Sequence, residues 1–380
     1  VTAFGIYVHW PFCTAKCPYC DFNSHVRANF DDAQWAAAIA QELKAVRALQ
    51  GVGAPVVESV FFGGGTPSLM SGKAAATVLD AIAANWLVAG DVEITLEANP
   101  ASADMARFRD YRAAGITRLS LGVQALNDAD LKFLGRLHDV DDAKRALALA
   151  MATFEHVSLD LIYARPGQTP DEWQRELAEA LAFGTEHLSL YQLTIEPATP
   201  FAVLAQTGTL TIPEDDDAAA LFELTCAMTD AAGRPAYEIS NHAKPGRECR
   251  HNLVYWRYGD YAGVGPGAHG RLTLATGRVA TLCEKLPERW REAVRSRGDG
   301  IIETTPVGND DAAREHLLMT LRLAEGLDLA AYEARWGVAL DRARIAELSD
   351  AGFLTLGETR LAATPRGRLV LNAVIAALAP

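Results

Sequence analysis

Residues 6–20 read IYVHWPFCTAKCPYC, a short apolar run that breaks at Pro11 into a loop carrying Cys13, Cys17 and Cys20. The β-branched and aromatic content predicts a strand over Ile6–Trp10, and a helical pattern follows from Asp32 to Leu49. The same order of strand, polar or glycine-rich turn and helix recurs down the chain. Further strands are predicted at Val56–Phe62, Val92–Glu97, Thr117–Val123, His156–Ile162 and His187–Leu193, with helical patterns between them. Such repetition builds a parallel sheet joined by helical crossovers. An open Rossmann-like sheet and a (β/α) barrel both satisfy it. The polar signals tip the balance: the cysteine loop, Gly63–Thr66, Glu97–Pro100, Gln124 and Asp160 fall toward the carboxyl ends of successive strands. That is the edge where barrel sites gather. The expected α/β architecture is a partial (β/α)6 barrel of TIM type.

Composition agrees and excludes other classes. At 380 residues, 49% hydrophobic and 22% charged, the chain can bury a sizeable core and is not a disordered polymer. A net charge of −13 argues against a broad nucleic-acid footprint. The longest apolar runs, such as Leu369–Leu378, are interrupted at Asn372 and too short to cross a bilayer. Residues 1–10 lack a basic start and a long apolar stretch, so no secretion signal is read there. The expectation is a cytoplasmic protein in three parts: a barrel over 1–235, an aromatic and glycine-rich extension over 236–300, and a C-terminal part over 301–380. Within these, Gly298–Gly308 reads as a linker. The last part reads as three helices, a hairpin at Phe353–Leu361 turning at Gly357, and a final helix, an order like that of a winged helix.

Six cysteines do not form a disulfide framework here, because three crowd into one loop while Cys226, Cys249 and Cys283 lie far apart. Cys226 sits in an apolar helical pattern and is expected in the core. Cys249 is expected to be buried, with a thiolate ligand role as the alternative, and Cys283 carries no assignment. The C-x3-C-x2-C loop can hold three irons of a 4Fe–4S cluster and leave the fourth open; a zinc site with a remote fourth ligand is the alternative. The turn Phe62-Gly63-Gly64-Gly65-Thr66-Pro67 lets backbone approach a ligand closely. Taken alone it also fits a phosphate cradle or a plain tight turn.

With Tyr19 directly before Cys20 and the GGGTP turn after the second strand, the chain resembles the radical SAM superfamily. It is most similar there to proteins related to the oxygen-independent coproporphyrinogen dehydrogenase. The likeness runs from Gly5 to about Phe201, and more loosely to the C-terminus. It implies a 4Fe–4S cluster on Cys13, Cys17 and Cys20. It also implies S-adenosyl-L-methionine (SAM) held by Tyr7, Tyr19, Gly64, Gly65, Thr66, Glu97, Gln124, Arg136 and Asp160. These residue types suit such a ligand, with carboxylates for ribose hydroxyls or cationic groups and an arginine fork for the SAM carboxylate. The implied chemistry is electron transfer from the reduced cluster to SAM, giving methionine and a 5′-deoxyadenosyl radical.

The loop departs from the dehydrogenase in one position. That enzyme carries another cysteine two residues after the third ligand, where this chain has Phe22 in Cys20-Asp21-Phe22. Asp-Phe at this place resembles the HemW-type heme chaperones instead. So does Arg250-His251-Asn252-Leu-Val-Tyr255-Trp256, which matches their HNxxYW motif. The resemblance implies heme as a third cofactor, with His251, Asn252, Tyr255 and Trp256 as its contacts. The alternative for that motif is a structural one, a bonded histidine among packed aromatics. The implied function is binding of heme and its delivery to hemoproteins, by a monomer or a cluster-dependent homodimer; peripheral membrane contact with a recipient is left open. The alternative function is a SAM-dependent radical enzyme acting on a porphyrinogen. Whether the chain is an enzyme at all therefore stays open at this point.

Overall fold

The structure is a computed structural model, and it describes residues 3–51, 53 and 55–379. Six strands form where the pattern predicts them: β1 (Phe4–Trp10), β2 (Val57–Gly64), β3 (Val88–Ala98), β4 (Arg118–Gln124), β5 (His156–Tyr163) and β6 (His187–Gln192). Each pairs parallel to the next. The crossover helices are α1 (Asp32–Gln50), α2 (Gly72–Asn85), α3 (Met105–Ala114), α4 (Asp128–Phe133), α5 (Val140–Thr153) and α6 (Pro170–Ala182). Their starts are local decisions of the sequence. Asp139 with Asp142, and Thr169 with Glu172 behind Pro170, close reciprocal capping boxes at α5 and α6. The apolar faces of these helices and the strand side chains beneath them form one large buried core, including Trp35, Ile39, Leu96, Leu119, Leu159 and Trp173.

Beyond β6 come α7 (Pro200–Gln206), α8 (Asp215–Ala231), β7 (Asn241–Ala243), α9 (Arg250–Trp256), β8 (Asp260–Val264), β9 (His269–Leu274), β10 (Gly277–Cys283), α10 (Pro287–Arg297) and β11 (Ile301–Pro306). The sheet order is β11-β10-β9-β8-β1-β2-β3-β4-β5-β6-β7, so the sheet is an open, partial barrel rather than a closed one. β8 lies parallel beside β1, which extends the parallel run by a strand that the glycine-rich sequence concealed. The expectation of a linker over Gly298–Gly308 is corrected here. Ile301–Pro306 is the edge strand, antiparallel to β10. Its side chains are largely exposed, so it joins through backbone bonds and carries none of the apolar alternation by which a strand is read.

The tail comprises α11 (Asn309–Thr320), β12 (Leu327–Asp328), α12 (Leu329–Trp336), α13 (Arg342–Asp350), β13 (Leu354–Leu356), β14 (Arg360–Ala363), α14 (Pro365–Leu369) and α15 (Leu371–Leu378). A three-stranded sheet, β12-β14-β13, packs with these helices around its own core of Leu317, Tyr332, Leu361 and Ile375. Among the described residues no helix is long and apolar enough to cross a membrane.

Candidate functional site

Strands deliver their carboxyl ends to one edge of the sheet, and the cysteine loop begins there. Pro11 ends β1, and Phe12–Cys13 pairs briefly with His25–Val26, which folds the loop back on itself. Cys13 is buried, while Cys17 and Cys20 are half-buried, and all six cysteines of the chain are free thiols. The glycine turn after β2 clamps the loop: Gly65 N–H donates to the Trp10 carbonyl at 2.7 Å and Thr66 N–H to the Phe12 carbonyl at 2.8 Å. Two donors reach the sulfurs themselves, Thr66 Oγ1 to Cys13 Sγ at 3.3 Å and Arg136 Nη1 to Cys17 Sγ at 3.5 Å. Burial pushes the Cys13 and Cys20 thiols up, whereas hydrogen bonds from Thr66 and from the Phe22 backbone, respectively, pull them back. Among the described residues no three His, Cys, Asp or Glu side chains close on one point as a single-ion site requires. Thiols spread along a loop suit a multi-iron cluster, each corner of which takes one thiolate.

Below the loop lies a cavity of about 370 Å³. It brings together Cys13, Cys17, Tyr19, Cys20, Gly64, Gly65, Thr66, Glu97, Gln124, Arg136 and Asp160. Tyr7 is the exception among the expected SAM contacts: it stacks behind the lining residue Phe61 (6.4 Å between centroids) and bonds His9 Nδ1 at 3.1 Å. The backbone is strained where it turns into the site. Gln124 has φ 75, a left-handed value unusual for a residue with a side chain, beside a register shift between Gly122 and Gln124. Its amide takes the space over Gly122, where an added Cβ would lie 2.8 Å from Gln124 Nε2. Arg136 Nη2 donates to the Gly122 carbonyl at 2.9 Å, but its Nε is buried without a partner, as an arginine awaiting an acceptor would be.

Two carboxylates face this space. Asp160 accepts from Ser120 Oγ at 2.8 Å and Ser158 Oγ at 2.9 Å, and burial still raises its pKa. Burial, and then repulsion from Asp160, push Glu97 up to about 8. Glu97 therefore keeps its proton when folded, and the ligand-free protein loses stability as pH rises from 4.5, the ordinary value, to about 8. Glu97→Gln is expected to flatten that fall by up to about 1.4 kcal/mol per pH unit, read from urea unfolding across this window. An unchanged slope would show Glu97 to be ionised in the folded protein. A cationic ligand in the cavity would draw off the same proton, which is how a carboxylate pair selects a positively charged guest.

The HNxxYW motif lies on α9, behind the cavity wall. His251 is 1% exposed; its Nδ1 pairs with Ser59 Oγ at 2.9 Å and its Nε2 with Tyr255 Oη at 2.8 Å. Its ring stacks on Phe61 at 5.2 Å. Of the four residues, only Asn252 lines the cavity, and it donates to Tyr237 Oη at 3.1 Å. Trp256 sits half-buried at the end of α9, where its carbonyl accepts from Thr320. Cys249 is buried and points its thiol at Glu93, and Cys283 is buried against Glu42. Cys226 is only half-buried, which corrects its expected core position: its side of α8 is incompletely covered.

Several lining residues escaped the reading of the sequence, among them Thr95, Arg118, Ser158, His187 and Tyr191. One signal was available. Parallel strands buried on both faces are normally apolar throughout, yet β4 places Arg118, Ser120, Gly122 and Gln124 at alternate positions.

An open parallel barrel with a cysteine loop, a glycine turn and inward carboxylates at one edge defines a class of cofactor-binding α/β proteins. Comparison with known proteins gives that class its name. The radical SAM superfamily matches residues 7–180, and the HemN C-terminal domain matches 307–370. A protein named heme chaperone HemW from Mycobacterium tuberculosis is 39% identical over 379 residues, covering 99% of this chain and 94% of the relative. Its namesake in Escherichia coli is 38% identical, covering 98% and 97%. Radical S-adenosyl methionine domain-containing protein 1, mitochondrial, of Mus musculus is also 38% identical, covering 100% and 88%. In fold, the chain matches the Escherichia coli structure described as coproporphyrinogen III oxidase (HemN), a radical SAM enzyme. The TM-score is 0.82 at 22% identity, over 100% of this chain and 90% of the other. The chain belongs to the radical SAM superfamily and, within it, to the HemW family.

Proposed function

We propose that this protein is a heme chaperone that carries a 4Fe–4S cluster and SAM and hands heme to hemoproteins. The observation that carries the reading is Phe22: it stands where the related enzyme has a further thiol, lines the cavity and is 58% exposed. An exposed aromatic ring offers a face to a flat apolar ligand and no thiol to a porphyrinogen. Full-length likeness to proteins named heme chaperone supports the same reading.

Cys13, Cys17 and Cys20 would hold the cluster, with Thr66 and Arg136 bonding two of the sulfurs. Gly64, Gly65 and Thr66 would take the methionine part of SAM, Arg136 its carboxylate, and Glu97, Gln124 and Asp160 the rest, with Tyr19 against the loop and Tyr7 behind. When bound and reduced, the cluster supplies the electron for SAM cleavage. For His251 to reach an iron it would have to leave Ser59 and Tyr255, whereas Asn252 already stands in the cavity wall. Tyr255 and Trp256 would then border the opened face. Acting in the cytoplasm as a monomer or cluster-dependent homodimer belongs to the same proposal.

Heme titration of the anaerobically reconstituted protein, followed by Soret absorbance, tests it. Near-stoichiometric binding that weakens about tenfold or more in His251→Ala, the loss typical when a group supporting a metal site is removed, supports the chaperone and its motif. No binding at micromolar heme, with 5′-deoxyadenosine release coupled to porphyrinogen conversion, would replace it with the enzyme.

A further inference from the structure

The proposed cofactors use the carboxyl-end loops, yet the cavity continues beneath them. In β4 the inward row Arg118, Ser120, Gly122 and Gln124 lines it throughout, a span of roughly 20 Å at about 3.3 Å per residue. Gln124 is at the cysteine-loop end. Arg118 is at the other.

That far end holds two buried polar atoms without a hydrogen-bond partner, one on Arg118 and one on Thr95. Arg118 is 3% exposed, with only long contacts on Nη1: Glu93 Oε2 at 3.7 Å and the Arg247 carbonyl at 3.4 Å. Its Nη2 has no hydrogen-bond partner. Thr95 is its register partner across the parallel β3–β4 pair, which places both side chains together on the inner face. Thr95 is 0% exposed, lines the same cavity, and its Oγ1 is likewise unpaired. Neighbouring acceptors are taken. Asp160 is held by Ser120 and Ser158, His187 by Ser158 and Tyr237, and Glu93 receives the Cys249 thiol and the His251 N–H on Oε1, its Oε2 lying 3.7 Å from Arg118 Nη1, beyond hydrogen-bond reach. Buried polar groups are almost always paired, so a hydroxyl and a guanidinium N–H left together mark a place for an acceptor. Two donors beside the carboxyl groups of Glu93 and Asp160 suit a monoanion better than a doubly charged phosphate, because like charges repel.

We propose that the cavity floor is a subsite for a carboxylate group, which accepts from Thr95 Oγ1–H and Arg118 Nη2–H. The group comes from a small organic acid or from the acid arm of a larger ligand that enters past the cysteine loop.

The test uses the full chain, reconstituted with its cluster under anaerobic conditions and saturated with SAM, and propionate as the probe. Titration calorimetry is expected to show saturable propionate binding. It should weaken several-fold in Thr95→Val and about tenfold or more in Arg118→Gln, as loss of a charged hydrogen bond predicts, with SAM affinity unchanged. Absence of saturable binding, or equal binding in both variants, overturns the proposal. Should Arg118→Gln not fold, Thr95→Val decides. Glu93→Gln, which removes the competing carboxylate, must then tighten binding. Iron mesoporphyrin against its dimethyl ester separates the sources: a preference for the diacid that Arg118→Gln abolishes assigns the subsite to a porphyrin arm, and equal binding of both assigns it to a small acid. If neither porphyrin binds, the heme reading fails and propionate still decides the floor.

Discussion

Glu42→Ala is expected to lower the unfolding free energy by roughly 4 kcal/mol, because it leaves three buried N–H donors unpaired at about 1–3 kcal/mol each. Glu42 lies inside α1 and is 0% exposed. Its carboxylate accepts from Gly265 N at 2.6 Å, Gly300 N at 2.7 Å and Trp290 Nε1 at 3.0 Å, with the Cys283 thiol at 3.6 Å. Burial pushes its pKa up, and those same donors pull it back. The donors come from the turn after β8, the segment before β11, α10 and the end of β10. One side chain therefore ties the outer strands to the barrel. The packing there is close: a Cβ added at Gly300 would lie 2.0 Å from the Trp290 ring. Glu42→Gln keeps an acceptor oxygen and should lose about half as much, near 2 kcal/mol. Urea midpoints for the two variants check this, and an alanine variant no weaker than the glutamine one would mean that solvent fills the gap.

Glu42 also shows where reading the sequence stops. The parallel strands, their helices and the cysteine and glycine turns were legible because each is written locally, in alternation, capping residues and breakers. The thiols, Gly64–Thr66, Glu97, Gln124 and Asp160 were legible for a related reason, since strands of one sense deliver their ends to one edge; Arg136, which follows α4, was implied only by the family resemblance. Glu42 looks like one more charge on an amphipathic helix, and its donors lie 223 to 258 residues away. β11 has no apolar face to announce it. Thr95 and Arg118 meet only through the register of two strands. His251 is the instructive middle case. Its motif was visible, but the ring's burial between Ser59 and Tyr255 depends on α9 packing against β2, which no spacing within the motif encodes.

The glycine turn makes a sharper prediction, since three adjacent glycines do different things. A Cβ at Gly64 would press on the His9 imidazole, which Tyr7 and the Asn23 carbonyl hold at its two nitrogens, and φ 108 there already favours glycine. At Gly65 it would lie 2.7 Å from the Phe12 carbonyl oxygen, 2.9 Å from Pro11 C and 3.0 Å from Phe12 C. All three are backbone atoms of the cysteine loop, so no rotamer relieves the contact. Gly65→Ala must part the turn from the loop, at the expense of the Gly65–Trp10 and Thr66–Phe12 hydrogen bonds and of the Thr66 hydroxyl on Cys13. Overpacking of about 3 kcal/mol corresponds to roughly 100-fold in affinity. SAM binding to the reconstituted protein should fall by that factor, and iron content should fall with it. Gly90→Ala is the control, because nothing lies within 4 Å of its added Cβ and it should bind as the parent does. If Gly65→Ala also binds as the parent, the loop and turn are not held at the distance seen here, and the cluster end of the cavity must be wider than its backbone contacts allow.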